Sequence, residues 1–470
     1  MKPITEQGGP RPLQHNWRPS WNVGLAPALA SPVFATFSDL LTGASRPPSD
    51  AMAVARELCK LASEYYNYEH ELEGLVQELL RRYLGSPVLR FGPRPAGQIM
   101  TDGLILANPG ESDQLSWLLC ALLEVKLGFS SPGDSNFQGA TYYGVFWEVR
   151  RQSSFFKGTC CPALLLEVVG PHLRVSALYW LDDVVVHPLT PLMNLLWLHD
   201  DEEHMISLAR ALAAIKSTLQ ALCTFYLQPP APLPAAPAPL GLGAAVSRAP
   251  SLVEAMPYQL AGYQLVKRLP VGQLIYTAVS PSSGRPVVVR FARRYSEEAH
   301  RAWAAIGLAP QLHRFLVLPG GWVMVEMELL GVQDGWAELA CQTGLDVTAA
   351  AAAAEAALLQ AHQARGCAGQ GYAHGDMRDT NIMVRRKAAG GSSEASAYEV
   401  KFVDFEFAGA DGEVLYPPYL SEAVNWPAGV ELGMPVCQHH DTALLATTVA
   451  QLQASSGTSI KPMGAANRRY

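Results

Sequence analysis

The chain has 470 residues, of which 49% are hydrophobic and 16% charged, and a formal net charge of -7 at pH 7. That length exceeds one ordinary core and predicts two or three domains, with enough apolar material to bury most of them. The acidic balance excludes a protein that coats nucleic acid nonspecifically, although a local basic cleft would be compatible with it.

The first residues, Met1-Lys2-Pro3-Ile4-Thr5-Glu6, lead into Gly and Pro without an apolar signal core, so secretion by the ordinary route is not expected. The eight cysteines stand mostly alone, and the adjacent pair Cys160-Cys161 lacks Cys-x-x-Cys spacing. This usage fits a reducing intracellular compartment, cytoplasm or nucleus. Residues 1–48 are expected to be irregular. A first ordered domain is expected over residues 49–227, opening with a helix from Ser49 to Tyr83 in which Leu58, Leu61, Tyr65, Leu72, Leu75 and Leu79 recur at helical spacing.

Apolar runs follow at Ile99–Ala107 and Trp117–Leu127, then a tyrosine-rich helix over Phe137–Arg150 and a strand at Ala163–Val169. Along them lie Thr101-Asp102-Gly103, Glu124-Val125-Lys126, and Gln138 and Tyr142 four residues apart. Two carboxylates on neighbouring strands can hold magnesium against a scissile phosphate, and a lysine two residues beyond the second lies on the same face and can activate water. Asp102 and Glu124 are thus the expected metal ligands. With Lys126, and with Gln138 as the resemblance below implies, they are the expected catalytic residues for phosphodiester cleavage. A solvated strand face would also produce Glu-Val-Lys.

This set resembles the PD-(D/E)xK restriction-endonuclease-like fold, an α/β domain with Gln138-x-x-x-Tyr142 on the following helix and Glu73 as an assisting carboxylate. Further on, Asp200-Asp201-Glu202-Glu203 predicts an acidic helix start favoured by the macrodipole, the alternative being a metal site with His199 and His204.

Residues 228–250, beginning Gln228-Pro229-Pro230-Ala231-Pro232, form a Pro/Ala-rich linker. Beyond it Tyr263–Leu269, Gln273–Ser280 and Pro286–Phe291 predict three consecutive antiparallel strands. The alanine run Ala349–Ala354 is flanked too closely by Asp346, Glu355 and His362 to span a membrane and predicts a soluble helix.

After that helix comes His374-Gly375-Asp376-Met377-Arg378-Asp379-Thr380-Asn381, and later Val403-Asp404-Phe405-Glu406. Phosphoryl transfer needs a carboxylate to orient or deprotonate the acceptor hydroxyl and oxygen ligands for magnesium. Asp376, Asn381 and Asp404 supply such groups.

The spacing resembles the catalytic loop of the protein kinase superfamily, H-x-D-x-[KR]-x-x-N, followed by a D-F-G-type metal ligand. The resemblance implies a bilobal protein-kinase-like domain over residues 251–452, with an abbreviated C-lobe anchored by Asp441 and a tail at 453–470. It implies ATP with Mg2+ or Mn2+, Asp376 as catalytic base, Arg378 beside the transferred phosphate, and Asn381 and Asp404 as metal ligands. Val325-Glu326-Met327-Glu328-Leu329 falls at the hinge, whose backbone groups face adenine, which puts Glu326 and Glu328 at the nucleotide.

Several departures bear on activity. Arg290 stands where kinases carry a phosphate-pairing lysine, and arginine is not a conservative exchange there. Its acidic partner is expected to be Glu297 or Glu298, with Glu298 preferred. Leu269-Pro270-Val271-Gly272-Gln273 offers one glycine for cradling phosphate. Glu406 in place of the D-F-G glycine, and glycine after His374, resemble aminoglycoside and choline kinase relatives. Both protein Ser/Thr and small-molecule hydroxyls therefore remain as acceptors.

The expected fold class is α+β in two domains. A nuclease-like domain followed by a kinase-like one resembles the Crinkler-type effector and fungal kinase-like proteins, over roughly Ser49 to Asp441. This implies a phosphotransferase fused to a DNA-targeting nuclease-like domain. The alternative is a nucleotide-responsive scaffold controlling a metal-dependent nuclease.

Overall fold

The computed structural model describes residues 14–15, 25–85, 89–91, 101–107, 117–129, 134–181, 184–196, 201–228, 256–269, 274–340, 346–366, 369–387 and 397–456. It divides into two units, Met1–Ala261 and Gly262–Tyr470.

In the first unit a two-residue strand, Gln14–His15 (β1), is followed by the helices Pro27–Ala30 (α1) and Pro32–Thr42 (α2). Each helix starts with proline, whose missing N–H falls where none is needed. The Ser31 hydroxyl caps α2 by accepting from Val33 N. Leu25, Phe34 and Phe37 are buried, so the expectation of an irregular segment 1–48 is corrected over residues 25–42.

Ser49–Ser63 (α3) and Glu69–Leu84 (α4) replace the single expected helix. The break comes at Tyr68, where the Glu71 carboxylate accepts from the backbone N–H groups of Asn67 and Tyr68 and fixes a new helix start. Tyr65, counted in the helical spacing, falls in the break and is fully exposed.

The unit continues through Leu89–Phe91 (β2), Gly103–Ala107 (β3), Leu118–Lys126 (β4), Ser135–Glu148 (α5), Ser154–Gly158 (α6), Ala163–Val169 (β5), His172–Trp180 (β6), Val184–Pro188 (β7), Met193–Asn194 (β8) and Glu202–Leu227 (α7). One mixed sheet runs β1-β7-β6-β5-β4-β3-β2, with β8 beside β6. β4 and β5 are parallel, joined through α5 and α6, and buried along their whole length. That explains their nearly unbroken apolar runs, since parallel strands are covered on both faces. α4, α5 and α7 pack against β4, and α7 also packs on α2 and α3.

The acidic run before α7 is a helix start: the Asp201 carboxylate accepts from His204 N at 2.9 Å. His204 Nε2 lies 2.6 Å from Asn194 O, and His199 lies outside the described residues. Cys160 and Cys161 are unbridged.

The second unit opens with Gln264–Arg268 (β9), Ile275–Val279 (β10) and Pro286–Ala292 (β11), then Glu297–Ala305 (α8), Leu312–Leu318 (β12) and Trp322–Glu328 (β13). These strands form an antiparallel sheet ordered β12-β13-β11-β10-β9. Ala337–Glu338 (β14), Val347–Gln363 (α9), Tyr372–Ala373 (β15), Ile382–Arg386 (β16), Tyr398–Phe402 (β17), Gly409–Ala410 (β18) and Gln438–Ser456 (α10) complete it.

α9 buries Ala350, Ala354, Ala357, Leu358 and Ala361 in a core shared with Trp303 and Phe402, so the alanine run is a close-packing face. α10 extends through Ser456, which corrects the expected tail at its first residues. The expected linker beyond Gln228 lies outside the described residues. Among the described residues no helix is long and apolar enough to cross a membrane. Both units mix helices with sheets, and the fold class is α+β.

Candidate functional site

In the second unit the loop between β15 and β16 is shaped from below by Asp441, near the start of α10. Its carboxylate is buried and accepts from His374 N and Gly375 N, each at 2.7 Å, and from His362 Nε2 at 3.1 Å. His374 Nε2 donates to Val403 O at 3.0 Å, which ties the loop to the segment carrying Asp404. Gly375 has a φ of 81°, and a Cβ there would come within 2.9 Å of Phe407 and Val436 side chains, so the turn requires glycine.

This scaffold brings Asp376, Arg378 and Asn381 together. Asp376 Oδ1 accepts from Arg378 Nε at 2.5 Å; Oδ2 accepts from Arg378 Nη2 at 2.6 Å and Asn381 Nδ2 at 2.9 Å. Burial pushes the Asp376 carboxyl up, Arg378 opposes that shift, and Asp404 adds to it.

Asp404 sits in the left-handed region with a φ of 72°, uncommon for a residue with a side chain. Arg290 Nη2, on β11, lies 2.9 Å from Asp404 Oδ1 as an ion pair without hydrogen-bond alignment, so that buried oxygen has no hydrogen-bond donor. The Asn381 amide nitrogen is engaged by Asp376, with bonds to both O and Oδ2, which leaves its oxygen as the acceptor.

Two oxygen donors of this kind suit a hard cation that takes one or two protein ligands and completes its shell from phosphate and water. Among the described residues no group of three or more His, Cys, Asp or Glu converges.

Arg290 does not meet helix α8. Glu298 is exposed, and Glu297 pairs with Arg301 at 2.8 Å. The expectation that Glu298 partners Arg290 is therefore corrected. The partner is Glu406, whose Oε1 accepts from Arg290 Nε at 3.0 Å and Nη2 at 2.6 Å. Burial works against the Arg290 charge, but Asp404 and Glu406 outweigh it and strengthen its hold on the proton.

Of the titratable residues of α8, His300 is the buried one. It lies 2.8 Å from both Pro310 O and the Tyr295 hydroxyl and stacks on Phe405 with centroids 4.6 Å apart. Burial lowers its pKa to about 4.

Glu326 and Glu328 have their carboxylates engaged within the unit's framework. Glu326 accepts from the Tyr263 hydroxyl and from Ser280 Oγ; Glu328 accepts from Lys401 Nζ at 2.7 Å and Gln311 N at 3.0 Å. Their side chains serve the framework, and the hinge expectation rests on the backbone of this segment.

In the first unit Asp102 immediately precedes β3, and Glu124 and Lys126 share a face of β4. Asp102 Oδ2 accepts from Val125 N at 2.7 Å and lies 3.9 Å from Lys126 Nζ. Lys126 donates to Glu69 Oε1 at 2.9 Å, so the nearby acid of α4 is Glu69, one turn before the expected Glu73. Glu73 accepts from Gln77 Nε2 at 2.8 Å, and Gln77 also donates to Asp102 O.

Glu124 is only 1% exposed and accepts from the Thr101 hydroxyl at 2.9 Å. Burial, with Asp102 adding to it, pushes its carboxyl up to about 8. Gln138 Oε1 and the Tyr142 hydroxyl are buried without hydrogen-bond partners. Between them Gly139 lets α5 lie directly on Leu165 of β5, whose Cδ1 a Cβ would approach to 2.4 Å.

The sequence reading missed Glu167 of β5, which pairs in register with Glu124. Arg174 Nε and Nη2, at 2.8 and 2.7 Å, and Ser135 Oγ, at 2.8 Å, satisfy its carboxylate, which marks it as structural. A lone acid inside an apolar run was its signal.

No protein-family model matches the chain. No curated protein matches it either. Among solved structures, the kinase PK-1 of the Cydia pomonella granulovirus is similar over 43% of this chain and 77% of its own, at 12% identity and a TM-score of 0.31.

Proposed function

We propose that the second unit is an ATP- and magnesium-dependent phosphotransferase of the protein-kinase-like superfamily, acting on a protein Ser/Thr or a small-molecule hydroxyl. The observation that carries this reading is the convergence of Asp376, Arg378 and Asn381 beside Asp404, whose buried Oδ1 has no hydrogen-bond donor.

Asp376 orients the acceptor hydroxyl and takes its proton, and a carboxyl raised by burial is a better base for that purpose. Arg378 holds both carboxylate oxygens, so an acceptor must displace one of its bonds, which turns the guanidinium toward the incoming phosphoryl group. Arg290 supplies a cation for the nucleotide's phosphates. A divalent cation, held by Asp404 and the Asn381 amide oxygen, would neutralise triphosphate charge.

The test is transfer from labelled ATP to mixed protein and small-molecule acceptors. Transfer by the wild type, lost in Asp376→Ala and Asp404→Ala, is expected; a wild type inert toward every acceptor would sink the reading. Thermal stabilisation by Mg·ATP without transfer would instead favour a nucleotide-responsive scaffold.

A second reading concerns the first unit. The order α4-β2-β3-β4-α5-β5, with Asp102, Glu124 and Lys126 at neighbouring strand ends, supports a PD-(D/E)xK-like domain that targets or cuts DNA. A divalent cation is the countercharge that buried Glu124 lacks. Metal-dependent cutting abolished by Glu124→Ala and Lys126→Ala is expected, and cutting unchanged in both variants removes this reading.

A further inference from the structure

The cation of the second unit's site is positioned in an unexpected way. Arg290 is buried, and two of its N–H groups converge on one oxygen of Glu406, at 3.0 and 2.6 Å. The acids of α8 are elsewhere, Glu298 exposed and Glu297 on Arg301. Among the inward-facing residues of that helix the titratable one is His300, held by Tyr295 and Pro310 and stacked on Phe405.

We propose that Glu406 is the positioning residue for Arg290, holding the guanidinium toward the phosphates of a nucleoside triphosphate so that its placement does not depend on an acid from α8. The proposal rests on the phosphotransferase reading above.

The geometry gives Glu406 a second task. Arg290 Nη2 also faces Asp404 Oδ1 at 2.9 Å, the oxygen suited to a metal. Without the Glu406 carboxylate, Asp404 is the remaining acid at Arg290, and guanidinium and metal compete for one oxygen. With Glu406 in place, Arg290 keeps a carboxylate of its own when a metal takes Asp404 Oδ1. A guanidinium carries five N–H donors, so two bonds to Glu406 leave others for phosphate oxygens.

Titration calorimetry of the full chain with Mg·ATP and, separately, with adenosine tests this. Glu406→Gln is expected to weaken Mg·ATP binding on the order of tenfold while leaving adenosine binding unchanged, because the lost contact orients a phosphate-binding cation. Glu406→Asp should recover part of the loss, and Glu298→Gln should match the wild type with both ligands.

If the wild type binds Mg·ATP and Glu406→Gln binds it equally well, or Glu298→Gln is equally impaired, the assignment fails while the phosphotransferase reading stands. Equal loss of adenosine and Mg·ATP binding, not improved in Glu406→Asp, shows a merely structural role and also overturns it. A wild type that does not bind Mg·ATP overturns both.

Discussion

Glu124 in the first unit and Asp376 in the second are both buried carboxylates, and their surroundings treat them oppositely. Asp376 lies under the Arg378 guanidinium and the Asn381 amide, three donors from its own loop. Glu124 receives the Thr101 hydroxyl and faces the negative Asp102, while the nearest cation, Lys126, is drawn to Glu69. One site carries its countercharge in the chain. The other leaves it to be supplied, and the cost appears as a carboxyl that holds its proton to about pH 8.

The largest effect that tests this contrast is on transfer. Asp376→Asn keeps the shape and removes the basic oxygen, and should lower phosphate transfer by about 10²–10⁴-fold in a labelled-ATP assay, the range general bases contribute. Retained transfer would mean that the paired carboxylate is a strut.

Next comes the pH dependence of the first unit, followed calorimetrically in chelator. Glu124 titrates near 8 when folded and near 4.5 when unfolded, so between those values the unfolded chain gives up its proton first. Its contribution is full below 4.5, falls as pH rises and is gone above 8. Glu124→Gln should equal the wild type at the acid end and exceed it by a few kcal/mol, roughly, at pH 8.

The second unit should show the reverse slope. His300 is lowered to about 4 from 6.5, so as pH falls through that window the unfolded chain is protonated first and stability is lost on acidification, by about 3 kcal/mol in full. His300→Gln should flatten the slope, and a slope that survives it belongs to another group.

The smallest effect is Glu69→Gln. The half-exposed Glu69 carboxylate should change stability by under about 1 kcal/mol, yet free Lys126 to face Asp102. A downward shift of the Glu124 titration, measured by NMR, would show that countercharge had been restored.

Much of this was legible where the determining contacts are local. β5 coincides with the apolar run Ala163–Val169, and Asp376, Arg378 and Asn381 reach one another within a single loop, so spacing carries their geometry. Arg290 and Glu406 lie 116 residues apart, and nothing near either residue announces the pair; the nearer Glu298 was the natural choice and points to solvent. Glu69 and Glu73 differ by one helical turn on α4, so helical periodicity cannot rank them and only the placement of β4 does. α1 and α2 were obscured because residues 25–42 pack as two short helices, too brief to show a period beside the proline-rich segment before them.

Asp441 has a consequence in time. The groups it holds belong to residues 362, 374 and 375, all of which leave the ribosome before it does. At roughly 5–20 residues per second, the loop bearing Asp376 waits several seconds for the carboxylate that fixes its shape. During that interval the first unit can complete its own sheet. The nascent second unit carries Asp376, Arg378 and Asn381 before it has their arrangement.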